Sequence, residues 1–303
     1  MEFDIIIPTY KPDERLELLL ERLARQTCQP RHILLVNTEE RFWRPLPPKL
    51  ETARVKVLHI GKREFDHGGT RRRMADRSET EFFVCMTQDA LPADRQLLEH
   101  LLAAFEDATV GAAYARQLAG EEAGVIERYT RQFNYPEESR IKRKQDEAEL
   151  GIKTWFCSDV CAAYRKSAYV EAGGFVPHTI FNEDMLMAEK LIRLGYGVAY
   201  QAEAKVWHSH RYTCKQQFQR NFDLGVSHRQ YREVFGRVSS ESEGIKMVKK
   251  TALYLLQNKK AYLLPELVIQ SAAKLLGYQA GKRYDKLPHG LVKKCSASPG
   301  YFE

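Results

Sequence analysis

Four short stretches of this 303-residue chain carry side chains able to do chemistry. In "TQDALP" an apolar run ends in a lone carboxylate, Asp89, with Pro92 close behind. A strand that stops at one acid reads as the rim of a site, with the acid as a ligand for a hard cation. "FDHGGTRRRMA" offers two glycines, which let backbone approach a ligand closely, followed by the fork-shaped donors Arg71, Arg72 and Arg73. That combination suits a diphosphate, although a solvated basic helix start would look the same. "TIFNEDMLMAEKLIRLGYG" sets Asn182 as a helix cap with Glu183 and Asp184 in the first turn. The helix dipole alone favours acids there, and the same field keeps a carboxylate ionised, as a general base needs. In "VWHSHRY", His208 and His210 are two apart, so they point to opposite sides if a strand continues through them. One of them suffices as a metal ligand, and a surface pair is the bland alternative.

Other familiar patterns are missing. The first apolar run is followed by neither G-x-G-x-x-G nor a G-x-S-x-G elbow, which weakens dehydrogenase and hydrolase readings. Gly277–Lys282 mimics a phosphate-binding loop but is one residue short, lacks the Ser/Thr and follows no strand. Cys157 and Cys161 are the one close cysteine pair, without a second pair to complete a zinc site, so buried free thiols are expected.

Taken in order, "IIIPTY", "FDHGGTR", "TQDALP", "CSDVCAAYRKSAYVEAGGF", "FNEDM" and "VWHSHRYTCKQQFQRNFDLGV" resemble a bacterial family 2 glycosyltransferase of the rhamnosyltransferase-like group. The resemblance spans most of the chain. It implies an α/β GT-A fold and inverting transfer of a sugar, typically L-rhamnose from dTDP-L-rhamnose, to a hydroxyl of a cell-surface or lipid-linked saccharide. UDP- or GDP-linked sugars are the alternative donors. By resemblance, Pro8, Thr9 and Tyr10 lie where base and ribose rest, and His67, Gly68, Gly69 and Arg71 lie near the donor phosphates. Asp89 corresponds to the last acid of the family's D-x-D element and binds Mg²⁺ or Mn²⁺, completed by His208 or His210. Asp184 corresponds to the base, with Glu183 beside it, while Trp155, Asp159 and Gly174 line donor sugar and acceptor. Two stretches depart from the family pattern: after the second strand, where many relatives carry a base-reading acid, the residues are Asn37-Thr38-Glu39-Glu40, and Thr87-Gln88 stand where the first D-x-D acid would be. Asn37 and Gln88 are kept in the donor-binding set.

These residues need elements to place them. Apolar runs at Phe3–Ile7, His32–Val36, Val55–Ile60 and Phe82–Met86 alternate with helical patterns, the clearest being Leu16, Leu19, Leu20 and Leu23 on one face of Asp13–Gln26. Such alternation predicts a Rossmann-like, mainly parallel sheet with flanking helices and ligands beyond the strands' carboxyl ends. Further helices are expected over Thr70–Ser78, Ala93–Ala108 and Asn182–Leu194, strands at Val198–Tyr200 and Val206–Trp207, and an amphipathic stretch over Lys215–Phe235. From Ile245, the residues Val248, Ala252 and Leu255/Leu256 form an apolar stripe with Lys246, Lys249 and Lys250 off it, and a second such helix covers roughly Ala261–Leu276.

Charge divides the chain in the same place. The net charge is +7, and residues 244–303 hold eleven Lys/Arg against three acids, leaving 36 bases and 37 acids in residues 1–243. The expected organisation is therefore a GT-A domain over 1–243 and a C-terminal basic amphipathic helical extension over 244–303. Near-neutrality of the first part argues against nucleic acid as a partner, since that requires clustered charge. The basic helices suit an anionic membrane surface or simple packing. "MEFDIIIPTY" reads as a first strand rather than a signal peptide, and no apolar run reaches the ~18 residues of a membrane span, which points to the cytoplasm, peripheral on the inner face of the membrane. The rival readings are a sugar nucleotidyltransferase, which would carry a glycine-rich basic loop after the first strand, and a non-catalytic basic membrane-binding module.

Overall fold

The computed structural model describes residues 1–237 and 241–303. Nine strands are present among them: β1 (Phe3–Tyr10), β2 (Ile33–Thr38), β3 (Val55–Ile60), β4 (Phe82–Met86), β5 (Leu91–Pro92), β6 (Val110–Leu118), β7 (Arg140–Lys142), β8 (Cys161–Arg165) and β9 (Gly197–Trp207). The α-helices in chain order are α1 (Glu14–Ala24), α2 (His67–Arg77), α3 (Leu97–Leu102), α4 (Val125–Asn134), α5 (Glu147–Leu150), α6 (Lys166–Glu171), α7 (Glu183–Arg193), α8 (Cys214–Gln230), α9 (Arg232–Phe235), α10 (Glu241–Gln257), α11 (Leu264–Gly281) and α12 (His289–Cys295). They form two compact units, each discontinuous in sequence: residues 1–120, 135–178 and 183–208, and residues 121–134, 179–182 and 209–303.

The first unit holds the whole sheet, in the order β3-β2-β1-β4-β8-β6-β9-β5, with β7 beside β9. β1, β2, β3 and β4 are mutually parallel, as are β6 and β9, while β8 runs antiparallel to both β4 and β6. β2 and β4 are buried along their entire length, which is why "ILLVNT" and "FFVCM" are nearly continuous apolar runs rather than alternating ones. α1 starts at Asp13, whose side chain accepts from the Arg15 N–H, and it buries Leu16, Leu19, Leu20 and Leu23 against this sheet. Each buried leucine contributes about 1.5–3 kcal/mol.

The helical patterns hold with shifted ends. α2 begins at His67 rather than Thr70, because Asp66 caps it through the Gly69 N–H at 2.6 Å. The expected Ala93–Ala108 helix is only α3 plus a 3₁₀ turn, and the two short strands near 200 are one, β9. All six cysteines are free, and Cys157 and Cys161 are buried as expected.

The second unit is helical. Its α8 and α11 cross so closely that a Cβ on Gly277 would lie 2.2 Å from the Phe218 carbonyl oxygen, and one on Gly281 2.0 Å from that of Phe222. The glycines that imitate a phosphate loop are thus the small-residue seam of a helix crossing. In α10, Val248, Ala252 and Leu255 pack against Ile126 and Leu267, while Ile245 and Leu256, expected in the same stripe, face solvent.

Candidate active site

The strand order reverses between β1 and β4, so their carboxyl ends open the crevice where ligands bind in such sheets. Gln88 spans that crevice: its Oε1 accepts from the Tyr10 N–H at 2.9 Å and its Nε2 donates to the Tyr10 carbonyl at 3.2 Å. Asn37 is fully buried. It accepts from Thr9 Oγ1 at 3.3 Å, donates to the Glu39 carbonyl at 3.3 Å and lies 3.0 Å from His59 Nδ1. Both amides therefore spend their hydrogen bonds shaping the loops on either side of the crevice, with the half-buried Pro8 and buried Thr9 beneath. Tyr10 is exposed, edge-on to Phe42 at 5.6 Å, with Lys11 Nζ 4.7 Å from the Phe42 centroid. Phe42 and Lys11 join the candidate set on this geometry alone; an aromatic four residues beyond β2 is the one signal of it in the sequence.

Arg71 is the hub of the site. Its guanidinium sits 2.9 Å from Glu183 and 3.2 Å from Asp159, all three buried, and its Nη1 also donates to the His67 carbonyl. Burial opposes its charge, yet the Glu183 and Asp159 carboxylates more than offset this and hold it protonated. Arg71, expected near the donor phosphates, is paired with buried acids: a buried guanidinium and buried carboxylates must pair, because each alone is costly. His67 Nδ1 lies 3.9 Å from Glu183.

Asp184, next in sequence to Glu183, takes a different place. Its Oδ2 accepts from the Asp159 N–H at 3.1 Å and its Oδ1 from the Met185 N–H at 2.8 Å. Burial, then the like charges of Glu183 and Asp159, push its carboxyl well above the ordinary carboxylate range against those two N–H bonds. Burial also lifts Asp159 to about 6, opposed by Arg71. Three carboxyls around one guanidinium cannot all be ionised cheaply. Asp184 is the one left half-buried rather than enclosed. Asn182 precedes this helix, but its side-chain amide donates to Ser227 Oγ at 3.2 Å.

Asp89 and His208 meet on the same unit, with Asp89 Oδ1 and His208 Nε2 3.7 Å apart. Strand β9 stops at Trp207, so the alternation that would aim the two histidines apart no longer applies. Gln117 orients the ring. Its Nε2 donates to Ser158 Oγ at 2.9 Å, which turns its Oε1 toward His208 Nδ1 at 3.1 Å. In the neutral imidazole this arrangement places the proton on Nδ1 and turns the Nε2 lone pair toward the Asp89 carboxylate. Two acceptors facing each other beyond hydrogen-bond distance, one held by an outer amide, fit a cation between them. His210 follows one residue after Ser209, in the second unit.

The remaining expected residues each have a packing or hydrogen-bonding partner within the first unit. Trp155 is 2% exposed, and its indole N–H donates to Glu147. Gly174 has a φ of 73° and receives Lys190 Nζ on its carbonyl at 2.9 Å, closing the turn after α6. A Cβ on Gly69 would lie 2.3 Å from the capping Asp66 carboxylate, so this glycine serves the helix start, and Gly68 beside it is buried.

The pattern of glycosyl transferase family 2 matches residues 4–173. The chain belongs to that family and is a glycosyltransferase of the GT-A fold. Over its full length it is 36% identical to the O-antigen chain rhamnosyltransferase RfbN of Salmonella typhimurium, covering 96% of that protein. It is 37% identical to the O-antigen chain rhamnosyltransferase WbaN of Salmonella anatum, over 99% of this chain and 95% of the relative. Among solved structures it is similar to the mannosyltransferase PcManGT of Pyrobaculum calidifontis in complex with GDP-Man and Mn²⁺, with TM-score 0.54, 16% identity, and 99% and 84% of the two chains covered. It is likewise similar to S. aureus TarS 1–349, with TM-score 0.51, 15% identity, and 94% and 92% covered. At such identity these two bear on the fold alone.

Proposed function

We propose that the protein transfers L-rhamnose from dTDP-L-rhamnose, with inversion, to a hydroxyl of a growing O-antigen-type or lipid-linked saccharide. The observation that carries the reading is the division of labour at the start of α7. Arg71 ties up Glu183 and Asp159, whereas Asp184 is held by backbone N–H groups with its proton affinity raised. As the acceptor oxygen attacks the anomeric carbon, Asp184 takes its proton, the bond from that carbon to the diphosphate oxygen breaks, and the nucleoside diphosphate leaves from the opposite face. A raised proton affinity makes Asp184 a better base than a free Asp of pKa ~3.9. Rhamnose as the sugar and O-antigen as the product class follow the two full-length relatives.

Asp89 and His208, with His210 kept as the further candidate from the sequence, would hold Mg²⁺ or Mn²⁺. When bound, the ion neutralises charge on the donor diphosphate. Exposed Tyr10 and its partner Phe42 offer the ring surface for the base. Residues 1–243 are read as the catalytic part and 244–303 as a basic extension that works against the anionic inner face of the membrane, in the cytoplasm.

The test is a donor screen. The protein is incubated with dTDP-L-rhamnose, UDP-, GDP- and other dTDP-sugars with Mg²⁺ or Mn²⁺, and released nucleoside diphosphate is followed. Release from dTDP-L-rhamnose above all others is expected. Preference for a UDP- or GDP-sugar overturns the donor, and release from none overturns the reaction.

A further inference from the structure

A groove of about 540 Å³ lies wholly within the second unit. That volume falls inside the roughly 300–1,000 Å³ range of ligand pockets. One wall is α4, which presents Glu127, Thr130, Arg131 and Asn134 at the spacing of a single helix face. The facing wall is α11, which presents Glu266, Gln270 and Lys274 at four-residue intervals. Tyr262, just before α11, stands at the rim with 74% of its surface exposed.

We propose that this groove binds a saccharide chain, as the acceptor-holding surface of the enzyme. This rests on the transferase reading above, but the chemistry of the groove argues for it separately. Sugar hydroxyls donate and accept at once, so they are matched by a mixture of carboxylate acceptors, ammonium donors and amides that do both. The groove supplies all three in Glu127 and Glu266, Lys274, and Gln270 and Asn134. Gln270 is already oriented, its Nε2 donating to Glu266 Oε1 at 2.8 Å, which leaves the amide oxygen directed elsewhere. Acids and bases are interleaved along both walls, which disfavours a phosphate-rich ligand and suits a neutral polyhydroxyl one. The flat apolar face of a sugar ring needs an aromatic surface, and Tyr262 is a ring open to solvent.

Tyr212 is a different case. It is stacked on His210 at 5.0 Å and covered by the Arg220 guanidinium at 4.7 Å, so it serves as a fixed wall rather than a platform. Glu127 in turn accepts from the His210 N–H at 3.3 Å, which fixes the backbone at His210, itself a lining residue of the groove. Apart from the α4 wall, these residues lie beyond residue 173, where the family match ends.

The test separates binding from transfer. Purified full-length protein, without donor or metal, is applied to an array of defined di- and trisaccharides with rhamnose, mannose, galactose and glucose termini. The wild type is expected to retain a subset, and Tyr262→Ala and Gln270→Ala, both with unchanged melting curves, to bind that subset about tenfold more weakly. In turnover, the same variants should raise the acceptor KM far more than they change the donor KM. Retention of no glycan by the wild type, or equal retention by both variants, overturns the groove assignment. Donor hydrolysis by the wild type without acceptor tests the transferase reading independently. Glycan binding without donor turnover would sink that reading and leave the groove standing.

Discussion

Asp184 and Glu183 are adjacent acids with opposite fates, and the difference is a matter of partners. Glu183 has a buried guanidinium at 2.9 Å, whereas Asp184 has only backbone N–H groups and two acidic neighbours. Asp184→Asn should therefore lower kcat by about 10²–10⁴ and leave donor affinity nearly unchanged, measured by turnover and by dTDP-L-rhamnose titration. Because its carboxyl is pushed upward, the proton-accepting form is gained as pH rises, so log kcat/KM should climb with pH through a range above that of an ordinary Asp. A profile flat down to pH ~4 would contradict this assignment. Gln117 makes a second residue-scale case. Gln117→Leu removes the acceptor that holds His208 Nδ1–H, and should weaken metal activation by about 10–100-fold, with the metal titration of activity as readout. Restored metal response in Gln117→Glu, which keeps an acceptor oxygen, distinguishes orientation from simple loss of packing.

At the scale of elements, α11 shows three faces. Gly277 and Gly281 meet α8, Glu266, Gln270 and Lys274 line the groove, and Val268, Ile269, Leu275 and Leu276 face solvent. The first face admits no side chain. Gly281→Ala would press a Cβ onto the Phe222 carbonyl and should cost about 1–3 kcal/mol, read as a lower melting temperature of the protein. His228 lies in the same crossing, stacked on Phe235 at 4.2 Å and 3.0 Å from the Tyr278 hydroxyl. Burial, helped by the Lys282 charge, lowers it from 6.5 to about 4. The unfolded chain then takes up this proton first, so the stability His228 contributes is complete above pH 6.5 and is lost as pH falls toward 4. His228→Phe should flatten that acid limb in thermal melts across the window; an unchanged limb would assign it to other groups.

For the molecule as a whole, the contrast is between a near-neutral chain up to residue 243 and a basic remainder. Among the described residues no helix is long and apolar enough to cross a membrane. The solvent-facing apolar residues of α11, with the exposed Lys246, Lys249 and Lys250 of α10, suit a surface that rests on an anionic bilayer. Flotation with phosphatidylglycerol vesicles should carry the protein upward, and neutral phosphatidylcholine vesicles should not. Reversal of all three lysines to glutamate should abolish flotation, each lysine being worth about 1 kcal/mol at the surface. Equal binding to both vesicle types would remove the electrostatic part of the proposal.

Much of this is legible in the amino-acid sequence. The leucine spacing of α1, the continuous apolar runs of the buried parallel strands and the acids opening α7 are local patterns, and local patterns survive in a linear text. Asp89, Asp184 and His208 stood out as candidates because each lies just beyond the end of a strand or in the first turn of a helix. Partnership was not legible. That Arg71 would pair with Asp159 and Glu183, eighty-eight and one hundred and twelve residues away, depends on how the sheet brings α2, β8 and α7 together. The same holds for Asn37 and Gln88, whose amides look like ligand contacts in the sequence and close loops in the fold. It holds again for the glycines at 277 and 281, which match a phosphate loop by spacing and belong to a helix crossing. Sequence alone determined which side chains could do chemistry and the elements that carry them. Tertiary structure decided which of those side chains are already satisfied by the protein, because a buried polar group takes its partner from whatever the fold sets beside it.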